Sequence, residues 1–184
     1  MDLDEARRIM HEWTGSPSLR THMECVAACM GACAAELEPA EADRWRIAGL
    51  LHDFDYERHP SIEEHPLVGV AWLREHTDVD EEVLEAILGH NDAAGVPRTT
   101  SMARALFAVD ELAGFIVACA KVRPDGIADL APKSVRKKLK DRAFAAAVSR
   151  EDIRTGIAEL GVDETAHLQR CIDAIRGEAE RLGL

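Results

Sequence analysis

The chain has 184 residues, of which 47% are hydrophobic and 30% charged, and it carries a formal net charge of −12. That length allows one self-sufficient core, that balance excludes a disordered chain, and the negative charge excludes a protein that coats nucleic acid through its phosphates. The acidic opening Met1-Asp2-Leu3-Asp4-Glu5 and the lack of any apolar run near the ~18 residues of a membrane span argue against a signal peptide and a spanning helix, so a cytoplasmic protein without membrane partners is expected.

Helical periodicity runs through almost every segment, and alternating Val-Ile-Thr-aromatic runs are missing, so the fold class is predicted as all-α. A short helix over 3–13 stops at Gly15-Ser16-Pro17. Ser18 then caps a long helix to Leu37, closed by Pro39. On that second helix Cys25, Cys29 and Cys33 recur every four residues along one stripe. With Cys119 and Cys171 isolated, reduced core-facing thiols are expected rather than a zinc site or disulfides. His22 shares a face with Val26 and Cys29 and points inward. A third helix over 40–52 places Trp45, Ala48, Leu51 and His52 on one stripe, and 54–66, with two prolines and no sustained period, reads as a loop. A helix pair over 67–75 and 80–90 follows, with Val83, Ile87 and His90 on one face. Residues 91–97 break the pattern before a long apolar helix over 100–122. The remainder holds a basic stretch, Lys133 to Arg142, and helices over 149–160 and 163–182 divided by Gly161. The whole, 1–184, is read as a single domain with a core at about 18–122 and a helical extension over 123–184.

Asp110 is the most informative residue, because it sits between Ala108-Val109 and Leu112-Ala113 in a helix that otherwise reads as buried. Burying its charge alone would cost several kcal/mol as an order of magnitude, so it needs a cation, a salt bridge or a strong hydrogen-bond partner. His52-Asp53 follows the apolar run Ile47-Ala48-Gly49-Leu50-Leu51, so both side chains leave the core-facing end of a helix together. Imidazole and carboxylate form the mixed ligand set that suits Zn, Mn or Fe(II), although a helix C-terminus alone would also favour histidine.

Taken together, Thr21-His22-Met23-Glu24-Cys25-Val26, Gly49-Leu50-Leu51-His52-Asp53 and Ala108-Val109-Asp110-Glu111-Leu112 resemble the HD-domain phosphohydrolase superfamily, whose pattern is His, then His-Asp, then a distant Asp. The resemblance implies a helical bundle of the HD type with a divalent ion (Mn, Fe, Zn or Mg) on His22, His52, Asp53 and Asp110. Glu64-His65-Pro66-Leu67-Val68-Gly69 and Ala86-Ile87-Leu88-Gly89-His90-Asn91 fall where histidine-rich members place further histidines. His65 and His90 thereby inherit a second ion, bridged by Asp53, or a contact with substrate phosphate. Where the superfamily often has Ile-Gly after His-Asp, this chain has Phe54-Asp55-Tyr56. Asp55 is expected to be an exposed loop carboxylate, with a further ligand or a water-positioning base as its functional alternatives.

The activity implied is hydrolysis of a small phosphorylated compound, a nucleotide or another phosphate ester, by metal-activated water. With one ion only, Glu24, Asp55 or His65 would assist as acid or base. Lys121, Arg123, Lys133, Arg136 and Lys137 are candidates to grip the phosphate, against the alternative of a solvated basic helix. His11, His59, His76 and His167 lack comparable context and are expected at the surface. A metal- or nucleotide-binding module without turnover, a di-iron oxygenase on the same fold and a purely structural helical adaptor remain as alternatives.

Overall fold

A computed structural model describes residues 1–184 and contains ten α-helices, two short 3-10 turns and no strand. The helices are α1 (Leu3–Trp13), α2 (Pro17–Leu37), α3 (Ala42–Leu51), α4 (Leu67–His76), α5 (Glu81–Gly89), α6 (Ser101–Lys121), α7 (Pro132–Leu139), α8 (Arg150–Leu160), α9 (Glu164–Gly177) and α10 (Ala179–Leu182). None is long and apolar enough to cross a membrane.

Most helix starts follow from local chemistry. The side chains of Asp2, Asp80, Thr100, Ser149 and Asp163 each accept a backbone N–H of the first turn, satisfying donors that a helix leaves free. The cap of α2 is Ser16, two residues before the expected Ser18, because Pro17 fits the first helical position and its missing N–H costs nothing there. The expected helix over 163–182 is divided, since Glu178 separates α9 from α10, and the stretch from 40 opens as a 3-10 turn over Pro39–Glu41 before α3 begins.

The two 21-residue helices, α2 and α6, form the centre, with α3, α9 and α6 against α2, and α5, α7, α8 and α9 against α6. Met23, Met30, Trp45, Leu50, Leu51, Leu84, Leu106, Phe115 and Ile172 are fully or almost fully buried in one core, each large apolar side chain contributing about 1.5–3 kcal/mol. Two glycines set how closely the layers approach. A Cβ on Gly49 would lie 2.7 Å from the Ala27 Cα, and one on Gly156 would lie 2.6 Å from the Ala108 Cα. Backbone contact of α3 with α2, and of α8 with α6, therefore requires the missing side chain. All five cysteines are reduced and buried, and the Cys29 thiol points at the Cys171 carbonyl of α9 at 3.7 Å. His167 departs from expectation. It is fully buried, with Nε2 3.3 Å from the Ala108 carbonyl and Arg170 against its other nitrogen, because α9 turns this face onto α6.

Candidate metal centre

Four helices and one loop bring six side chains together. His22 comes from the second turn of α2, His52 and Asp53 from the C-terminus of α3, and His65 from the loop before α4. His90 caps α5, and Asp110 lies midway along α6. The His22 Nε2 lies 3.0 Å from Asp110 Oδ1, 3.2 Å from His52 Nε2 and 3.8 Å from Asp53 Oδ2. His52 Nε2 lies 3.4 Å from Asp110 Oδ1 and 3.5 Å from Asp53 Oδ2. On the other side of Asp53, its Oδ1 lies 3.2 Å from His65 Nε2 and 3.4 Å from His90 Nε2, and those two nitrogens are 3.2 Å apart. Each oxygen of Asp53 thus faces a different pair of imidazoles.

The outer nitrogens fix how the rings are protonated. His52 Nδ1 donates to the Gly49 carbonyl at 2.8 Å, and His90 Nδ1 donates to the Ile87 carbonyl at 2.5 Å. Both carbonyls lie three residues back on the same helix. His65 Nδ1 donates to Asp55 Oδ1 at 2.8 Å, while Asp55 Oδ2 accepts the Gly69 N–H at 2.8 Å. With its proton on Nδ1, a neutral imidazole presents a bare lone pair at Nε2. As neutral rings, the Nε2 atoms of His65 and His90 would meet lone pair to lone pair at 3.2 Å, a contact that a proton or a metal ion between them makes favourable.

The titration behaviour says the same. Burial opposes a charged His52, but the carboxylates of Asp53 and Asp110 outweigh it and lift the ring well above its ordinary value. Burial likewise works against a charged His65, and Asp53 and Asp55 together raise it to about 9. Burial also works against ionising Asp53 and Asp110, yet the imidazoles around them hold both well below the usual carboxylate range. The cluster calls for positive charge, and two groups have ligand atoms close enough to hold an ion each, His22-His52-Asp53 and Asp53-His65-His90. Donor chemistry and spacing both fit divalent cations.

All of these side chains except the fully buried His52 open into a cavity of about 570 Å³ that is also lined by Tyr56, Asn91, Asp92, Phe107, Glu111, Gly114, Ala147, Val148 and Asp152. Glu111 escaped the sequence reading as a site residue. Its Oε2 accepts the Ser149 N–H at 3.1 Å, and burial, reinforced by Asp110, pushes its carboxyl up to about 7. Its position next to Asp110, on an otherwise apolar helix, was the available signal.

Other expected site residues lie elsewhere. Asp55 is fully buried and acts on His65, because the loop turns it inward to the Gly69 N–H. It is neither an exposed carboxylate nor part of the cavity wall. Glu24 is buried between the guanidinium groups of Arg7, at 3.0 Å, and Arg181, at 2.9 Å, and does not line the cavity. Arg123 binds Asp129, Arg136 binds Glu164, and Lys133 is exposed. Lys137 and Arg123 line a separate cavity of about 510 Å³ beside Pro124. Lys121 lines a groove of about 380 Å³ that shares only His22 and Gly114 with the cavity of the cluster. None of the five lines that cavity: Lys121 and Arg123 lie at and beyond the C-terminal end of α6, and α7 turns Val135 into the core. His11 and His76 are exposed, and His59 is half-buried against Glu64.

The HD domain family model matches residues 19–114, just over half of the chain, and the protein belongs to that family. That family is in general one of metal-dependent phosphohydrolases. Comparison with curated proteins and with solved structures gave no match.

Proposed function

We propose that the protein hydrolyses a small phosphate ester, with one divalent ion on His22, His52, Asp53 and Asp110 and a second on Asp53, His65 and His90. The observation that carries this reading is the facing Nε2 atoms of His65 and His90, both already proton donors at Nδ1, against one oxygen of Asp53. Bound divalent ions supply Lewis acidity there, which acidifies water and offsets charge on the phosphoryl oxygens.

The chain's own side chains do the rest. Asp53 spans both sites, and Asp55 keeps the His65 ring turned with Nε2 inward. In the reaction a water oxygen bonds to phosphorus, the ester P–O bond breaks, and the leaving oxygen needs a proton. Glu111 is assigned that proton, as the cavity carboxyl that stands beside the ligand groups without belonging to either. Tyr56, edge-on to His65 with ring centroids 5.2 Å apart, shapes the rim.

The test is release of inorganic phosphate from a panel of esters by protein loaded with Mn²⁺, together with metal analysis. Turnover with about two ions per chain, and its loss in Asp53→Ala, is the expected outcome. Two bound ions without cleavage of any ester would make the protein a silent binding module, and protein that takes up no ion would remove the centre altogether.

A further inference from the structure

The cavity over the cluster contains five carboxylates, Asp53, Asp92, Asp110, Glu111 and Asp152, and neither a lysine nor an arginine. Asp92 is turned outward, 71% exposed, and paired with Arg98 at 2.6 Å. Asp53 and Asp110 face the imidazoles. That leaves Glu111 and Asp152 on adjoining helices, joined through Ser149, which donates its N–H to Glu111 and caps the Asp152 N–H with its hydroxyl at 3.2 Å. Because Gly156 brings α8 into backbone contact with α6, this acidic wall is held rigidly beside the cluster.

A charge count then constrains the ligand. Two divalent ions offset Asp53, Asp110 and one doubly charged phosphate, and no positive charge remains for a second anionic group. The arginines and lysines that would otherwise accept a diphosphate or a carboxylate are all outside the cavity. A positive group on the ligand, by contrast, finds Asp152 without a basic side chain beside it in the wall.

Resting on the phosphohydrolase reading, we infer that the cavity selects a phosphate monoester whose organic part carries an amine, with Asp152 as the group that recognises the ammonium. One charge–charge contact at about 6 Å and an effective dielectric of about 20 is worth up to about 100-fold in affinity, less where salt screens it.

The test is calorimetry on Mn²⁺-loaded protein with three non-hydrolysable phosphonates of similar size, aminopropylphosphonate, propylphosphonate and carboxyethylphosphonate. The amine should bind about 10- to 100-fold tighter than the plain alkyl compound, and the carboxylate weaker than either. Asp152→Asn should bring the amine and alkyl affinities to within about twofold, the loss that one removed charge contact predicts. Because Asn keeps the size of the side chain, a mutant that still binds propylphosphonate is folded. Equal affinities in the parent protein, or an amine preference untouched in the mutant, would overturn the inference even if esters are hydrolysed. An amine preference without hydrolysis of any ester would leave the inference standing and sink the hydrolase reading.

Discussion

Replacing Gly49 by alanine tests whether the α2–α3 contact sets the geometry of the cluster. The new Cβ would lie 2.7 Å from the Ala27 Cα and 2.8 Å from its nitrogen, where ordinary contact begins at 3.4 Å. Helix α3 must therefore retreat from α2 by about 0.7 Å at that point, since backbone atoms cannot swing aside. His52 and Asp53 ride on the C-terminus of α3 and His22 on α2, while metal–ligand distances tolerate only about 0.2 Å. Overpacking of this kind costs about 1–3 kcal/mol, partly offset by up to about 1 kcal/mol of helix propensity. At about 2–4 °C per kcal/mol for a chain of this size, the melting temperature should fall by several degrees. Mn²⁺ affinity should fall by about 10- to 100-fold, the range seen when ligand orientation is disturbed. Gly31→Ala is the control, because its Cβ meets the flexible Arg46 side chain, which can move. Thermal melts and Mn²⁺ titrations of both variants decide the matter. A Gly49→Ala protein that melts and binds Mn²⁺ like Gly31→Ala would refute the argument.

Three other outcomes are expected. At 100 times the dissociation constant, a bound ion adds about 2.7 kcal/mol, so a chelator should lower the melting temperature of Mn²⁺-loaded protein by roughly 5–11 °C per site, and indifference to the chelator would count against any centre. Asp55→Ala leaves His65 Nδ1 and the Gly69 N–H without their acceptor, and should weaken one of two ions by about 10- to 100-fold while sparing the other. Equal weakening of both in a Mn²⁺ titration would contradict the positioning role. The Glu111 carboxyl binds its proton more tightly when folded, so in metal-free protein its contribution is present below pH 4.5 and is lost as the pH rises through about 7. Glu111→Gln removes that loss, and urea unfolding across this range should show the variant gaining on the parent protein as pH increases. Parallel curves would mean the carboxyl is not perturbed.

The six clustered residues were legible because each is a ligand-type side chain at a position fixed by its own helix, and helical spacing carries that information. His90 and His52 even take their ring orientation from a carbonyl three residues earlier. What depended on distant segments was not legible. Asp55 reads as a loop carboxylate until the loop folds back and the Gly69 N–H claims it. His167 looks like a surface residue until α9 presses it onto the Ala108 carbonyl. The basic stretch suggested a phosphate grip, yet the direction in which α7 faces is set by burial of Val135 and leaves its basic side chains outside the cavity, and no local pattern records that. Asp152 carried no signal, since an acidic residue in a first helical turn is common and only tertiary packing brings it to the cavity.

All six clustered residues fall within the matched stretch 19–114, whereas Ala147, Val148 and Asp152, which close one side of the cavity, come from well beyond it. On the proposed activity, reactivity and taste would thus be written in different parts of the chain. A chimaera that borrows another protein's α8 would keep the same histidine and aspartate cluster and face it with a new palate, so ligand preference could drift in such a lineage without a single change at a histidine.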